Sequence, residues 1–293
     1  MNGLRSALLN RIDLSTIAEN IWKRSSALNT WGTNAIEGST INWKEAQSIL
    51  LDQRTPANRP VRDVLETIQH DAAFRGLPER KRYPIDLVTV LELHEGVFRG
   101  VLPDAGNWRK VNVRIQGANF TPPRMEKVIP MMEELLKEYQ RRDTEGEDVF
   151  ELGAWFHFTF ESIHPFQDGN GRVGRLLLNL HFLKHNWPPI HILPNDRDGY
   201  IRALETGHEG DLGPMVSFIK RLMASSLLDL LDQVGTAEDE LTGLKKASAL
   251  APYDAKYLSL RCGQGELPGV LSGHKWHTSR RAIELYMEGR GRK

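Results

Sequence analysis

Apolar residues recur at three- and four-residue steps along most of the chain, which predicts a mainly α protein. Leu8, Leu9, Ile12, Ile17, Ala18 and Ile21 suggest one helix over 7–27. Further helices are expected over 43–51, 61–74, 84–98, 125–141, 149–163, 172–185, 200–208 and 214–231, with breaks at Thr55–Pro60, Gly76/Pro78 and Gly100/Pro103. The pattern changes once before the C-terminal end. Val111, Val113 and Ile115 alternate with polar residues ahead of Gln116 and Gly117, which predicts a small β-hairpin bounded by Pro122 and Pro123. Residues 233–240 have the look of a linker.

Composition narrows the class. With 40% hydrophobic and 26% charged residues the chain is an ordinary globular one, and the single cysteine, Cys262, forms no internal disulfide. No apolar run is long enough to span a bilayer, and the first residues are too polar for a secretory leader, so a cytoplasmic protein is expected. Although 38 basic residues balance 38 acidic ones, residues 241–293 hold ten basic against four acidic. A basic module on an acidic body suggests an anionic partner for that module.

The chemistry concentrates in residues 164–175, HPFQDGNGRVGR. A Gly169-Asn170-Gly171 turn opening a helix offers bare backbone N–H groups at the positive end of the helix dipole, an anion site suited to phosphate. Arg172 and Arg175 share a helix face beside it and can grip phosphate oxygens. Asp168 is a hard oxygen ligand suited to Mg²⁺. His164 has the ordinary pKa of a general base near neutral pH. A bland alternative exists for each residue taken singly; the set together fits phosphoryl or nucleotidyl transfer. There is no P-loop. A zinc site of His157, Glu161 and His164 lacks the H-E-x-x-H spacing, and His157 fits better as a hydrogen-bonded core residue.

The stretch resembles the signature of Fic-domain proteins, His-x-Phe-x-Asp/Glu-Gly-Asn-Gly-Arg-x-x-Arg, at every constrained position. The resemblance implies a Fic-type helical bundle with a small β-hairpin flap, and transfer of AMP from ATP, with Mg²⁺, to a Ser, Thr or Tyr hydroxyl of a protein, the protein itself included. His164 would be the base, Phe166 a buried anchor and Asp168 the metal ligand. Gly169, Asn170 and Gly171 would form the anion hole, Arg172 would hold the phosphates, and Arg175 would meet the γ-phosphate. The flap residues Val113, Ile115, Gln116 and Gly117 would pin the target segment as an added strand, and Tyr200 would lie near the nucleotide base. Thr33-Asn34-Ala35-Ile36-Glu37-Gly38 resembles the family's inhibitory motif, so Glu37 is expected to pair with Arg175 and misalign ATP; removal of AMP from the target is a related activity in such proteins.

Three parts are therefore expected: a helical region 1–90 carrying the inhibitory helix, a catalytic core 91–235, and a module 241–293 resembling winged helix-turn-helix domains. Tyr257, Arg261, Lys275 and Arg280 are the candidate contacts if that last module meets DNA; protein docking or pairing into a homo-oligomer fits the same outline. Two alternatives stand beside adenylyl transfer: a different nucleotide or phosphate donor at the same site, or a DNA-binding regulator whose core senses nucleotide.

Overall fold

The computed structural model describes every residue except 15–17, 116, 118, 292 and 293. The chain is mainly helical and divides into two compact units, Trp22–Phe218 and a second made of Met1–Ile21 with Ile219–Lys293. These boundaries fall elsewhere than the expected ones at 90/91 and 235–241. The segment carrying Glu37 shares a unit with residues 84–182.

Numbered in chain order, α1 (Asn2–Leu9) belongs to the second unit. The first holds α2 (Glu19–Ile36) from Trp22 on, then α3 (Trp43–Leu50), α4 (Val61–Arg75), α5 (Leu77–Arg80), α6 (Leu87–Phe98), α7 (Val128–Thr144), α8 (Val149–Ile163), α9 (Asn170–Lys184), α10 (Arg197–His208) and the first turns of α11 (Gly213–Val234). At its centre lies α9. Val173, Leu176, Leu177, Leu180 and Leu183 are all buried, against α8 on one side and α5 and α6 on others. Each fully buried aliphatic side chain contributes about 1.5–3 kcal/mol. Local chemistry sets the helix ends. Asn42 and Glu45 close a capping box on α3, Asp86 accepts from Thr89 N at 2.8 Å on α6, and Asp148 accepts from Phe150 N at 3.0 Å on α8.

The single helix expected over 7–27 is two. The α1 helix ends at Leu9, and α2 starts at Glu19 and runs past Ala27 to Ile36. The buried face of α2 is polar, which is why hydrophobic spacing lost it. Ser26 donates to Asp71 at 2.5 Å, Asn29 to the Ile190 carbonyl at 2.9 Å, and Thr30 pairs with His70 at 2.9 Å. The expected hairpin is also absent as a ladder: no strand forms among the described residues of 108–120, and Gln116 lies outside them.

In the second unit, β1 (Thr242–Gly243), α12 (Leu244–Ala247), α13 (Ala255–Gly263), β2 (Val270–Ser272), β3 (Lys275–Thr278) and α14 (Arg280–Gly291) follow in order. The sheet is antiparallel with order β1-β3-β2. Leu258, Cys262, Leu267 and Ile283 form its core, and α1 packs on α14. The 233–240 stretch is no free linker. Asp239 is fully buried and accepts from Arg11 at 2.7 Å and Arg281 at 2.6 Å, which hold its carboxyl well below the usual range despite burial.

Burial pushes His70, His157 and His181 down to about 3. The unfolded chain therefore binds protons that the folded one refuses as pH falls through 6.5, and stability drops on acidification. Burial pushes Glu161 up to about 8, which works in the opposite direction, but as one group against these three and against His164 and His191, which burial pushes down to about 4. The thermal midpoint should fall between pH 7 and pH 5; a flat or rising midpoint over that window would contradict the neutral burial of these rings.

Candidate active site

Residues 164–169 connect α8 to α9, and three devices fix their path. His164 closes α8 in the left-handed region, at φ 52° and ψ 60°. Phe166 is fully buried between two rings: His94 stacks on it at 3.8 Å and Trp108 at 5.3 Å. The Asn170 side chain accepts from Phe166 N at 2.8 Å and donates to the Phe166 carbonyl at 2.9 Å. Its amide is thus spent on the loop, so only its backbone N–H is left to an anion. His94 adds a fourth tie, Nε2 donating to the Asp168 carbonyl at 3.1 Å while Nδ1 accepts from Gly106 N at 2.9 Å.

The turn into α9 requires glycine twice. Gly169 sits at φ +87°, and a Cβ there would run into the Phe98 ring. A Cβ on Gly171 would collide with the Glu37 carboxylate and lie 2.8 Å from Arg175 Nη1. The first turn of α9 therefore presents backbone to whatever approaches it, at the positive end of the helix.

His164 Nδ1 donates to the Glu161 carbonyl at 3.3 Å, which leaves Nε2 as the lone-pair nitrogen. Burial pushes this ring down to about 4, so it is neutral and able to take a proton throughout the physiological range. Arg109, buried, clamps the adjoining segment: it donates to the carbonyls of His164 at 2.9 Å, Val111 at 2.9 Å and Pro123 at 2.5 Å. The stretch bearing Val113 and Ile115, with Gly117 beyond it, is thereby tied to the histidine loop at Val111.

Arg172 and Arg175 are both buried on α9, and each meets a carboxylate from a distant segment of the chain. Arg175 Nη2 donates to Glu37 Oε1 at 2.6 Å, and Nε donates to Thr33 Oγ1 at 2.6 Å. Desolvation raises the Glu37 carboxyl, and the Arg175 charge and hydrogen bond more than offset it, holding it below the usual range. Glu161 is buried near Arg175, and its burial keeps it protonated at neutral pH, so Glu37 supplies the countercharge. Arg172 Nη1 donates to Glu66 of α4, its Nη2 reaches Asp168 at 3.3 Å, and its guanidinium lies 4.5 Å from the Phe98 ring. Arg62, also on α4, donates to Glu66 at 2.7 Å and to Asp168 at 2.6 Å. Glu66, Arg62, Asp168 and Arg172 thus form a closed ring of alternating charge.

Asp168 is the candidate metal ligand, and its surroundings fit one kind of cation. Its carboxylate is 44% exposed. Desolvation raises it, but Arg172 and Arg62 hold it ionised below the usual range. No group of three or more His, Cys, Asp or Glu side chains able to hold a metal exists among the described residues. A single carboxylate beside an anion site suits Mg²⁺ brought in with nucleotide phosphates, which complete the shell with water.

Tyr200 is buried, its hydroxyl bonded to His157 Nε2 at 2.8 Å and its ring 5.8 Å from the Arg175 guanidinium. His157 Nδ1 donates to the Gly174 carbonyl at 3.1 Å. In the C-terminal unit, Arg261 pairs with Glu266, Arg280 with Glu284, and Tyr257 lies against Tyr286 and Arg290. Lys275 is exposed. Sequence pattern missed Arg62, Glu66, His94 and the clamping role of Arg109. His94 falls on the buried face of α6, a signal too common to single it out; Arg109 lies in Gly106-Asn107-Trp108-Arg109, which resembles the Fic-domain family, but its spacing says nothing of the carbonyls it binds.

Residues 84–182 match the model of the Fic/DOC family. Over that stretch the chain is similar to Fic/DOC proteins. A Caenorhabditis elegans protein named protein adenylyltransferase fic-1 is 28% identical over 237 residues, 79% of this chain and 46% of that protein. The solved structure of C. elegans Fic-1, residues 134–508, superimposes with TM-score 0.68 at 28% identity, over 78% of this chain and 68% of that one. A Fic family protein from Desulfovibrio desulfuricans G20 matches over 95% of this chain and 94% of its own, with TM-score 0.66 and 18% identity, a likeness of fold alone. This chain spans less than half the length of the curated relatives it matches.

Glu66→Ala leaves the buried Arg172 without its main counterion. Unfolding free energy should drop by about 3 kcal/mol. Chemical denaturation measures it, and a loss below about 1 kcal/mol would mean that Asp168 alone suffices.

Proposed function

We propose that this protein transfers AMP from ATP to a side-chain hydroxyl of a protein target, itself included, and that Glu37 holds the reaction back. The observation that carries the reading is the placing of a neutral His164 beside the α9 N-terminus with two buried arginines on the same helix. The naming of the C. elegans relative as a protein adenylyltransferase supports the choice of AMP.

In this mechanism the target hydroxyl oxygen bonds to the α-phosphorus of ATP, its proton passes to His164 Nε2, and the α–β bridging P–O bond breaks to release pyrophosphate. The backbone N–H groups of Gly171 and its neighbours stabilise charge on the α-phosphate. Arg172 and Arg175 hold the outer phosphates. Asp168 would hold Mg²⁺, which when bound neutralises charge on the leaving phosphates. The target is a protein segment laid along residues 111–115 near Val113 and Ile115, in the manner of an added strand.

Inhibition follows from one charge having two claimants. The contact of Glu37 with Arg175 keeps the guanidinium from the γ-phosphate, and the triphosphate then settles with its α-phosphorus out of line. A displacement of about 1 Å costs about a hundredfold in rate. We read residues 241–293 as a winged-helix module: the α12–α13 pair followed by the β2–β3 ribbon supports that reading. Arg261 and Arg280 are paired within the module and Arg281 with Asp239 just before it, which favours a docking role over DNA contact.

Label from α-³²P ATP with Mg²⁺ should appear on protein at least about tenfold faster in Glu37→Gly than in wild type. It should vanish in Glu37→Gly/His164→Ala. Equal labelling of wild type and Glu37→Gly would reject the inhibitory role, and labelling that survives loss of His164 would reject it as the base.

A further inference from the structure

Arg62 makes two contacts of unequal strength. One end is anchored: Nε donates at 2.7 Å to Glu66, which is itself buried and held by Arg172. The other end is open: Nη2 donates at 2.6 Å to Asp168, between side chains 51% and 44% exposed. An ion pair that exposed is worth little and is readily exchanged, whereas the buried end is costly to break. The guanidinium is therefore an arm, fixed at the Glu66 end and free to leave Asp168.

Asp168 Oδ2 is the oxygen that Arg62 covers. It is also the better placed of the two for a cation, since Oδ1 faces the buried Arg172 at 3.3 Å. A divalent cation and a guanidinium cannot share one carboxylate oxygen at such distances, because both are positive and both need its lone pairs. We propose that Arg62 is a determinant of cation affinity in this site: it occupies Asp168 when no metal is bound, and a divalent cation arriving with a nucleoside triphosphate must displace it. The inference rests on the reading of Asp168 as the metal ligand.

Displacement leaves Arg62 tied to Glu66 and close to the phosphates it has made room for, so no buried charge is stranded. The cost is the loss of the exposed contact alone, a factor of up to about five in cation affinity. Nothing local in the sequence marks this role, since Arg62 and Asp168 are 106 residues apart.

The test separates cation from nucleotide. Binding of α,β-methylene-ATP is measured by calorimetry in saturating Mn²⁺ and in EDTA, for wild type, Arg62→Gln, Asp168→Asn and the double variant. The expected result is a ratio of Mn²⁺ to EDTA affinity about fivefold higher in Arg62→Gln than in wild type, with Asp168→Asn abolishing the difference. An unchanged ratio, or a lower one, would overturn the inference while leaving Asp168 as metal ligand. A wild-type ratio indifferent to Asp168→Asn would overturn that ligand assignment and the inference with it. Circular dichroism on each variant keeps a folding defect from passing for either outcome.

Discussion

A buried positive charge must be matched: Arg109 is met by three carbonyls, and the two buried arginines of α9 by carboxylates. Arg175 and Arg172 each have a side chain only 4% exposed, deep enough that an unpaired guanidinium would cost several kcal/mol. In the structure the matching anions come from the protein: Glu37 after α2 and Glu66 on α4. The two glutamates differ in a way that matters. Glu66 is buried, while the Glu37 side chain is 36% exposed and sits at the helix end, where it can withdraw without tearing the core. One arginine is thus permanently held and the other conditionally so. In the proposed reaction that difference divides their labour, Arg172 being a fixed part of the cradle and Arg175 the part that regulation reaches.

The loop that carries the chemistry is rigid because its backbone is committed on every side. His94 and Trp108 sandwich Phe166, Asn170 latches the Phe166 backbone, and Arg109 binds the carbonyl of His164. Such ordering before substrate arrives is what lets donors at a helix N-terminus act on developing charge without reorganising. The same burial pushes the His164 ring down to about 4 and the Glu161 carboxyl up to about 8.

The core of this arrangement was legible in the sequence because it is local. His164 to Arg175 is one turn and one helix start, and the Thr33–Glu37 spacing lies within a single helix end. What the sequence hid is what folding brings together from afar. Arg62 and Glu66 fall in the helix expected over 61–74, and no spacing rule joins them to residues 106 positions away. The polar buried face of α2 defeated hydrophobic periodicity, and Asp239 passed for linker because its partners, Arg11 and Arg281, are distant in the chain. Alternation over 111–115 predicted paired strands; among the described residues the segment forms no ladder, and its tie is the Arg109 side chain.

The most direct test of the central claim, that Glu37 and a γ-phosphate compete for Arg175, is the affinity ratio of ATP to ADP in wild type and in Glu37→Gly, by calorimetry with Mg²⁺. Only ATP carries the group that needs the freed guanidinium. The account predicts that the ratio rises by about tenfold in Glu37→Gly, the worth of one charge-assisted contact. An equal gain for both nucleotides, or none for either, would contradict it.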